Sequence, residues 1–338
     1  MSKKHTISLC GCGHIAQKHL AAIADNPGLS LQAIVDTQAA VRENMSATLG
    51  VPAFESLEAL HAAFPQLDLI ALCTPSGLHA EQTVWAANQG WNIVTEKPLA
   101  TTLAGGKAML EACEANQVNL YMVHQLRYNP IMQEVKKAVA EGRFGQIYVV
   151  TAEVMWNRPQ SYFDSVSWRG SKVMDGGAYL NQACHFIDLM YWLFGEVKQV
   201  QAMMRTLGRK IEAEDSGVIN LQFANHILGS IAVTLLAYPK NLRGSLTILG
   251  EKGSVVIDGP CLNHASTWEF EESRPIDETI KHLNHNDYLP GHHLFYQQVV
   301  ASMNGDKDAA IKGNEGYKTL DIIMAAHRAS EEQKDVLL

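Results

Sequence analysis

The chain has 338 residues, 47% of them apolar and 18% charged, with a formal net charge of −8. That length exceeds the usual size of one domain and points to two. The negative charge, unbroken by any Lys/Arg cluster, argues against electrostatic nucleic-acid binding, and no apolar run approaches the roughly 20 residues of a transmembrane helix. The opening "MSKKHTISLCGCG" runs into a strand without a signal-peptide core, and six scattered cysteines suit reduced thiols, so a cytoplasmic protein is expected.

Through residue 125 or so, strands and helices alternate. "HTISLCGCG" reads as a strand ending in a glycine turn, "HIAQKHLAAIADN" as a helix, "LQAIVD" as a strand and "QAAVRENMSATLG" as a helix stopped by glycine. The buried strand "LDLIALCTPS" follows, then the helix "GLHAEQTVWAANQG", the strand "WNIVTEKP", the helix "AGGKAMLEACEANQ" and the strand "VNLYMVHQ". Repeated βα units of this size give a doubly wound parallel sheet with helices on both faces.

Beyond residue 125 the pattern changes. "IMQEVKKAVAEGRFG" is helical, "IYVVTAEVMW" alternates as a strand, and a polar loop over residues 157–174 precedes the apolar helix "DGGAYLNQACHFIDLMYW". Strand-like segments then dominate: "VKQVQAMMRTL", "DSGVINLQFAN", "HILGSIAVTLLAY", "RGSLTILGEKGSVVID", in which "GEKG" reads as a hairpin turn, and "STWEFEES". Residues 274–292 read as a polar loop, and helices at Leu294–Met303 and Glu315–Ser330 close the chain. The predicted organisation is a Rossmann-type α/β domain over residues 1–124 and an α+β domain with a large, mainly antiparallel sheet over residues 125–338. Helices are available for only one face of that second sheet, so its other face calls for a partner subunit.

The first glycine turn carries chemistry. "GCGHIA" supplies Gly11, Gly13 and Ala16 as G-x-G-x-x-A, with His14 and Ile15 leading into the helix. It follows a strand, opens a helix, and is followed by Asp36 at the end of the next strand, which is the context of a dinucleotide site. Gly11 permits the tight turn, and Gly13 lets a pyrophosphate approach the backbone at the helix N-terminus. Asp36 can accept hydrogen bonds from both adenosine ribose hydroxyls; it repels a 2′-phosphate, and Thr37 offers no compensating cation, so NAD is favoured over NADP. Cys10 and Cys12 form C-x-C, but no further pair of ligands is apparent, and they read as small space-filling residues.

The ordered set "GCGHIA", "CTPSGLH", "EKPLA" and "GGAYLNQACHFID" resembles the glucose–fructose oxidoreductase/inositol dehydrogenase superfamily (Gfo/Idh/MocA) over essentially the whole chain. The resemblance implies a Rossmann domain followed by an open-sheet domain, with Thr74, Pro75, His79, Glu96, Gln125, Trp168 and Arg169 near the cofactor and Lys97 at the reacting hydroxyl. "HQLRYNP", "RFGQIYVV", "WNRPQSYFDSVSWRGSKVMDGG", "YPKNLRGSLTILGEKGSV" and "GHHLFY" further resemble bacterial UDP-N-acetyl-glucosaminuronate 3-dehydrogenases of surface-polysaccharide (lipopolysaccharide) biosynthesis. That subgroup implies oxidation of the sugar C3 hydroxyl, a homotetramer and, in some members, reoxidation of bound NADH by 2-oxoglutarate as hydride acceptor.

Oxidising a secondary alcohol with NAD requires a hydride acceptor, a positioned base and a donor for the developing alkoxide. Lys97 ends a parallel strand, where ligands of such sheets collect, and a desolvated lysine can share the proton. His185 is the second candidate. The superfamily commonly presents Asp-x-x-x-His here, but this chain has Asn181 at the Asp position, which shifts weight from an Asp–His base toward Lys97 or a shared Lys–His arrangement. Asn181, His185 and Asp188 step by four and three, which places them on one helix face; Asn181 and Gln182 are candidate substrate contacts, and Asp188 reads as a buried structural partner. A UDP-sugar acid brings a diphosphate and a carboxylate, for which Arg127, Arg158, Arg169, Lys172 and Arg243 are candidate partners. His282, His285, His292 and His293 lack metal-site spacing, and His292 or His293 is read as a substrate contact; no metal is expected. Two rival readings share the fold: a dehydrogenase of a free sugar or inositol, and a non-catalytic NAD-sensing protein.

Overall fold

The computed structural model describes residues 4–259, 262–283 and 290–338. The chain divides into two compact units, Met1–Gln125 with Pro290–Tyr317 and Leu126–Leu289 with Lys318–Leu338. The first unit is therefore not one continuous stretch: a segment near the end of the chain folds back into it.

In the first unit the chain runs β1 (His5–Cys10), α1 (Ala16–Ala24), β2 (Leu29–Val35), α2 (Ala39–Leu49), β3 (Ala53–Phe54), α3 (Leu57–Ala63), β4 (Leu69–Leu72), α4 (His79–Asn88), β5 (Asn92–Thr95), α5 (Leu103–Ala115) and β6 (Leu120–Met122). The strands form one parallel sheet in the order β3-β2-β1-β4-β5-β6. The order reverses between β1 and β4, which opens a crevice at the carboxyl ends of those strands. All four residues of β4 are buried, as expected of a strand with helices on both sides. β3 and α3 went unread in the sequence because β3 has only two residues and α3 seven, although Ser56 caps α3 by accepting from the Ala59 N–H at 3.2 Å.

The second unit contributes α6 (Pro130–Ala140), β7 (Ile147–Met155), α7 (Gln160–Asp164), α8 (Cys184–Phe194), β8 (Val197–Arg205), β9 (Ser216–Phe223), β10 (Leu228–Thr234), β11 (Arg243–Gly250), β12 (Gly253–Asp258), β13 (His264–Phe270) and α9 (Pro275–His282). Then come α10 (Gly291–Met303), which belongs to the first unit, α11 (Gly313–Glu332), which counts with the second unit from Lys318 onward, and β14 (Val336–Leu337). The eight-stranded sheet has the order β13-β12-β11-β7-β10-β9-β8-β14; it is antiparallel except for the parallel pair β7–β10. Inward-facing residues such as Val150, Ala152, Ile231 and Ile248 are fully buried or nearly so. α8 lies across that face: a side chain at Gly229 would meet Met190, and one at Gly244 would meet Phe186. Among the described residues no helix is long and apolar enough to cross a membrane.

Three expectations need correction here. Residues 274–292 are not simply a loop, because Pro275 opens α9 and Asp277 accepts from the Arg274 N–H at 2.7 Å, a helix-start pattern visible in "RPIDE". Burial would raise the Asp277 carboxyl, but Arg143, Trp268 and the Arg274 N–H outweigh it and hold its pKa at about 2. The polar loop over residues 157–174 contains the short helix α7. Finally, Tyr179–Ala183 form a single π-helical turn ahead of α8, so Asn181 sits in that wider turn while His185 and Asp188 share α8.

Candidate active site

The parallel sheet gathers the dinucleotide residues at one edge. Val35, Cys10, Leu72, Thr95 and Met122 pair across five strands as a single rung. The residues immediately after that rung are Asp36, Gly11, Cys73 and Glu96, so Thr74 and Lys97 follow one position later and Pro75 one beyond Thr74. Gly11 has φ +91°, and a Cβ there would lie 2.7 Å from the Cys73 carbonyl, so the turn over β1 requires glycine. Gly13 has no heavy atom within 4 Å of where a Cβ would stand, and no side chain caps α1 at Ile15. Open space over an uncapped helix N-terminus fits a pyrophosphate. Asp36 accepts from the Cys12 N–H at 2.9 Å through one oxygen and from the Gln38 N–H at 2.9 Å through the other. Each oxygen keeps a lone pair, so the carboxylate is oriented for ribose hydroxyls. Cys10 and Cys12 are buried, and burial pushes both thiols up to about 12, which suits inert space-filling residues.

The two turns next to Lys97 are fixed from within the same unit. His79 is buried, with Nδ1 2.9 Å from the Pro98 carbonyl and Nε2 3.0 Å from the Thr74 carbonyl. It thus ties the turn after β4 to the turn after β5. Glu96 is also buried; Oε1 accepts from His19 Nε2 at 3.0 Å and from His292 Nε2 at 3.4 Å, while Oε2 accepts from the Lys97 N–H at 3.0 Å. The Tyr296 hydroxyl lies 2.7 Å from His19 Nδ1. Burial would raise the Glu96 carboxyl, but the hydrogen bonds from His19 and His292 hold it well below the usual carboxylate range. His292, expected to touch substrate, is therefore 4% exposed with its Nε2 turned to Glu96, and His293 Nε2 sits 3.0 Å from Asp25. His285 lies outside the described residues. His19 and Tyr296 went unread: a histidine on an amphipathic helix and a tyrosine near the end of the chain carry no local signal.

In the second unit the polar residues of the glycine-led helix have separate destinations. Asp175 is buried; it accepts from the Gly170 N–H at 2.8 Å and from the Asn181 amide. Gly176 and Gly177 have φ +85° and +90°, and a Cβ on Gly177 would lie 2.3 Å from the Glu214 carboxylate, which accepts from the Tyr179 N–H at 3.0 Å. The close approach allowed by "DGG" is thus to Glu214, an anion at the helix N-terminus. Gln182 and His185 are 5% and 8% exposed. Asp188 is a buried structural partner, as read from the sequence. Arg127 Nε and Nη2 donate to its two oxygens at 2.9 and 2.6 Å, and Thr319 adds a third contact at 3.1 Å. Arg127, expected at an anionic substrate, is 5% exposed and committed to this pair. Arg243 pairs with Glu153 at 3.0 Å, and Arg158 donates to the Asn157 carbonyl at 2.8 Å. Arg169 donates to the Tyr162 carbonyl at 3.0 Å and to Ser165 at 2.6 Å, beside Trp168, and lines a cavity of about 370 Å³ with Ser167 and Lys210.

A glycine turn at a Rossmann switch point, a ribose-directed Asp36 and a lysine two residues beyond the same rung define a nicotinamide-dependent oxidoreductase. Residues 6–124 match the model of the oxidoreductase family with an NAD-binding Rossmann fold, and residues 132–256 match the GFO/IDH/MocA C-terminal domain. The chain belongs to the GFO/IDH/MocA oxidoreductase family, and NAD is its cofactor. It is similar to the WlbA dehydrogenase from Bordetella pertussis, solved in complex with NADH and UDP-GlcNAcA: 41% identity, 100% of this chain and 99% of that one covered, TM-score 0.96. The WlbA dehydrogenase from Chromobacterium violaceum, solved with the same two ligands, is 38% identical over 100% of this chain and 97% of that one, with TM-score 0.93. Levoglucosan dehydrogenase from Pseudarthrobacter phenanthrenivorans is 28% identical over 57% of this chain; that match spans 56% of the relative's length.

Proposed function

We propose that the protein oxidises the C3 hydroxyl of UDP-N-acetyl-glucosaminuronic acid in the cytoplasm, in a route to a surface polysaccharide, with 2-oxoglutarate as an acceptor that regenerates NAD. The observation that carries this reading is the similarity, over the full length of both chains to within one per cent, to a dehydrogenase solved with NADH and UDP-GlcNAcA. NAD, when bound, accepts the hydride. Lys97, just past the carboxyl end of β5, takes the hydroxyl proton or holds the developing alkoxide, with His185 sharing the proton; Asn181, Gln182 and Arg169 orient the sugar and its charged groups. Asn181 already donates to Asp175, so its amide is oriented by a buried carboxylate rather than left to rotate.

The test is kinetic. UDP-N-acetyl-glucosaminuronate with NAD is expected to give a nicotinamide absorbance change and a C3-keto product, sustained by 2-oxoglutarate and inhibited by UDP. Lys97→Ala is expected to lower kcat by about 10²-fold or more. Turnover of free sugars or inositol without inhibition by UDP would favour the free-polyol reading, and the absence of any redox change would favour the sensing one.

The second unit supports a homotetramer. Met203, Val218, Leu228 and Leu249 share the outer face of the sheet and are 71%, 41%, 57% and 43% exposed. A broad face of this kind, interleaved with Asn220 and Gln201, suits a second copy of the same sheet.

A further inference from the structure

The tripeptide Glu96-Lys97-Pro98 is held on both sides by buried histidines while its middle residue stays half-exposed. On the far side, the Pro98 carbonyl faces His79. On the near side, three N–H groups converge on the Glu96 carboxylate: those of His19, His292 and Lys97 itself. Donation by the Tyr296 hydroxyl to His19 Nδ1 leaves Nε2–H to point at Glu96, so a neutral His19 satisfies both of its contacts. The four residues come from three places in the chain. His19 is on α1, Glu96 follows β5, and His292 and Tyr296 are on α10, the segment that folds back into the first unit.

We propose that His19, Glu96, His292 and Tyr296 form a positioning unit for Lys97, through which the returning helix α10 sets the backbone from which the reacting lysine projects. The carboxylate is the hub. One of its oxygens is fixed by two imidazoles, and the other grips the Lys97 N–H, so the Cα of Lys97 has little room to move. A lysine side chain is long and flexible; holding its root confines where the ammonium can reach, and a misplacement of about 1 Å at a reacting group can cost about 10²-fold in rate. His19, Glu96 and His292 each offer a ligand atom within 4.8 Å of the other two, a spacing that would also suit a metal ion. The hydrogen-bond reading is favoured because each nitrogen faces the carboxylate directly and the Tyr296 hydroxyl fixes the His19 tautomer that donates.

The inference rests on Lys97 acting at the hydroxyl, so Lys97→Ala is measured first. His19 and His292 are then each replaced by Gln, which keeps an N–H donor, and by Leu, which fills the space without one. The expected result is a kcat lowered about tenfold or more by Leu and less by Gln, with KM for NAD within about threefold of the native value. Hydrogen exchange at the Lys97 amide, which donates to Glu96, is expected to quicken in the Leu variants. Tyr296→Phe removes one hydroxyl and serves where a Leu variant fails to fold; a smaller fall in kcat is expected. Normal kcat in Lys97→Ala would overturn the catalytic reading and this inference with it. Loss of kcat in Lys97→Ala alone, with His19→Leu, His292→Leu or Tyr296→Phe folded and within about twofold of native, would overturn the inference and leave the catalytic reading standing. Stoichiometric metal in the purified protein, lost in His19→Leu, would also overturn it.

Discussion

At the scale of single residues, cofactor choice rests on Asp36 and its neighbour Arg42. The Arg42 guanidinium donates to the Asp36 main-chain carbonyl at 2.8 Å, so a cation is anchored to the backbone of this residue, a feature that Thr37 alone did not suggest. The carboxylate keeps a 2′-phosphate away, and removing it would leave Arg42 to attract one. Asp36→Ser is therefore expected to raise the NADP-to-NAD ratio of kcat/KM by about tenfold or more, which steady-state kinetics with both cofactors would measure. Asp36, Gly11, Gly13 and Lys97 were legible because each ends a strand or turn with a strong local pattern. The role of Arg127 was not, because its partner Asp188 is 61 positions away, and a sequence does not reveal which carboxylate a guanidinium will meet in the core.

At the scale of elements, the buried pair between Arg127 and Asp188 links α8 to the turn before α6, and Thr319 brings in α11. Arg127→Leu would strand Asp188 as a buried charge, and a loss of about 3–5 kcal/mol in urea unfolding is expected. The double variant Arg127→Leu/Asp188→Leu is expected to recover much of that loss, because no charge is then left unpaired. Apart from the two-residue strands β3 and β14, the strands of both sheets were readable from buried runs, alternation and glycine turns. The π turn over Tyr179–Ala183 was not, since the spacing of Asn181, His185 and Asp188 fits an α-helix equally well. Helix α9 was missed for the opposite reason: its polar surface hid a start signal that was present.

At the scale of the whole molecule, stability should depend on pH through buried groups of the first unit. Burial lowers the His19 pKa from 6.5 despite the opposing pull of Glu96, so below pH 6.5 the unfolded chain binds a proton that the folded one refuses. Glu96, held below its ordinary 4.5, adds a second loss once pH falls under that value. Urea midpoints are expected to be level above pH 6.5, to fall below it and to fall more steeply below 4.5; a midpoint that rises on acidification would contradict this. Assembly is tested by Met203→Glu on the outer sheet face: sedimentation is expected to give a tetramer for the native chain and smaller species for the variant. The return of Pro290–Tyr317 to the first unit was not legible, because its helices look alike in sequence wherever they pack. The central claim, oxidation at C3 of a UDP-sugar acid, is tested most directly with UDP-N-acetyl-glucosaminuronate deuterated at C3, NAD and the purified protein. Deuterium is expected on the nicotinamide with a C3 ketone left on the sugar; deuterium retained at C3 while NAD is reduced, or no transfer at all, would contradict the assignment.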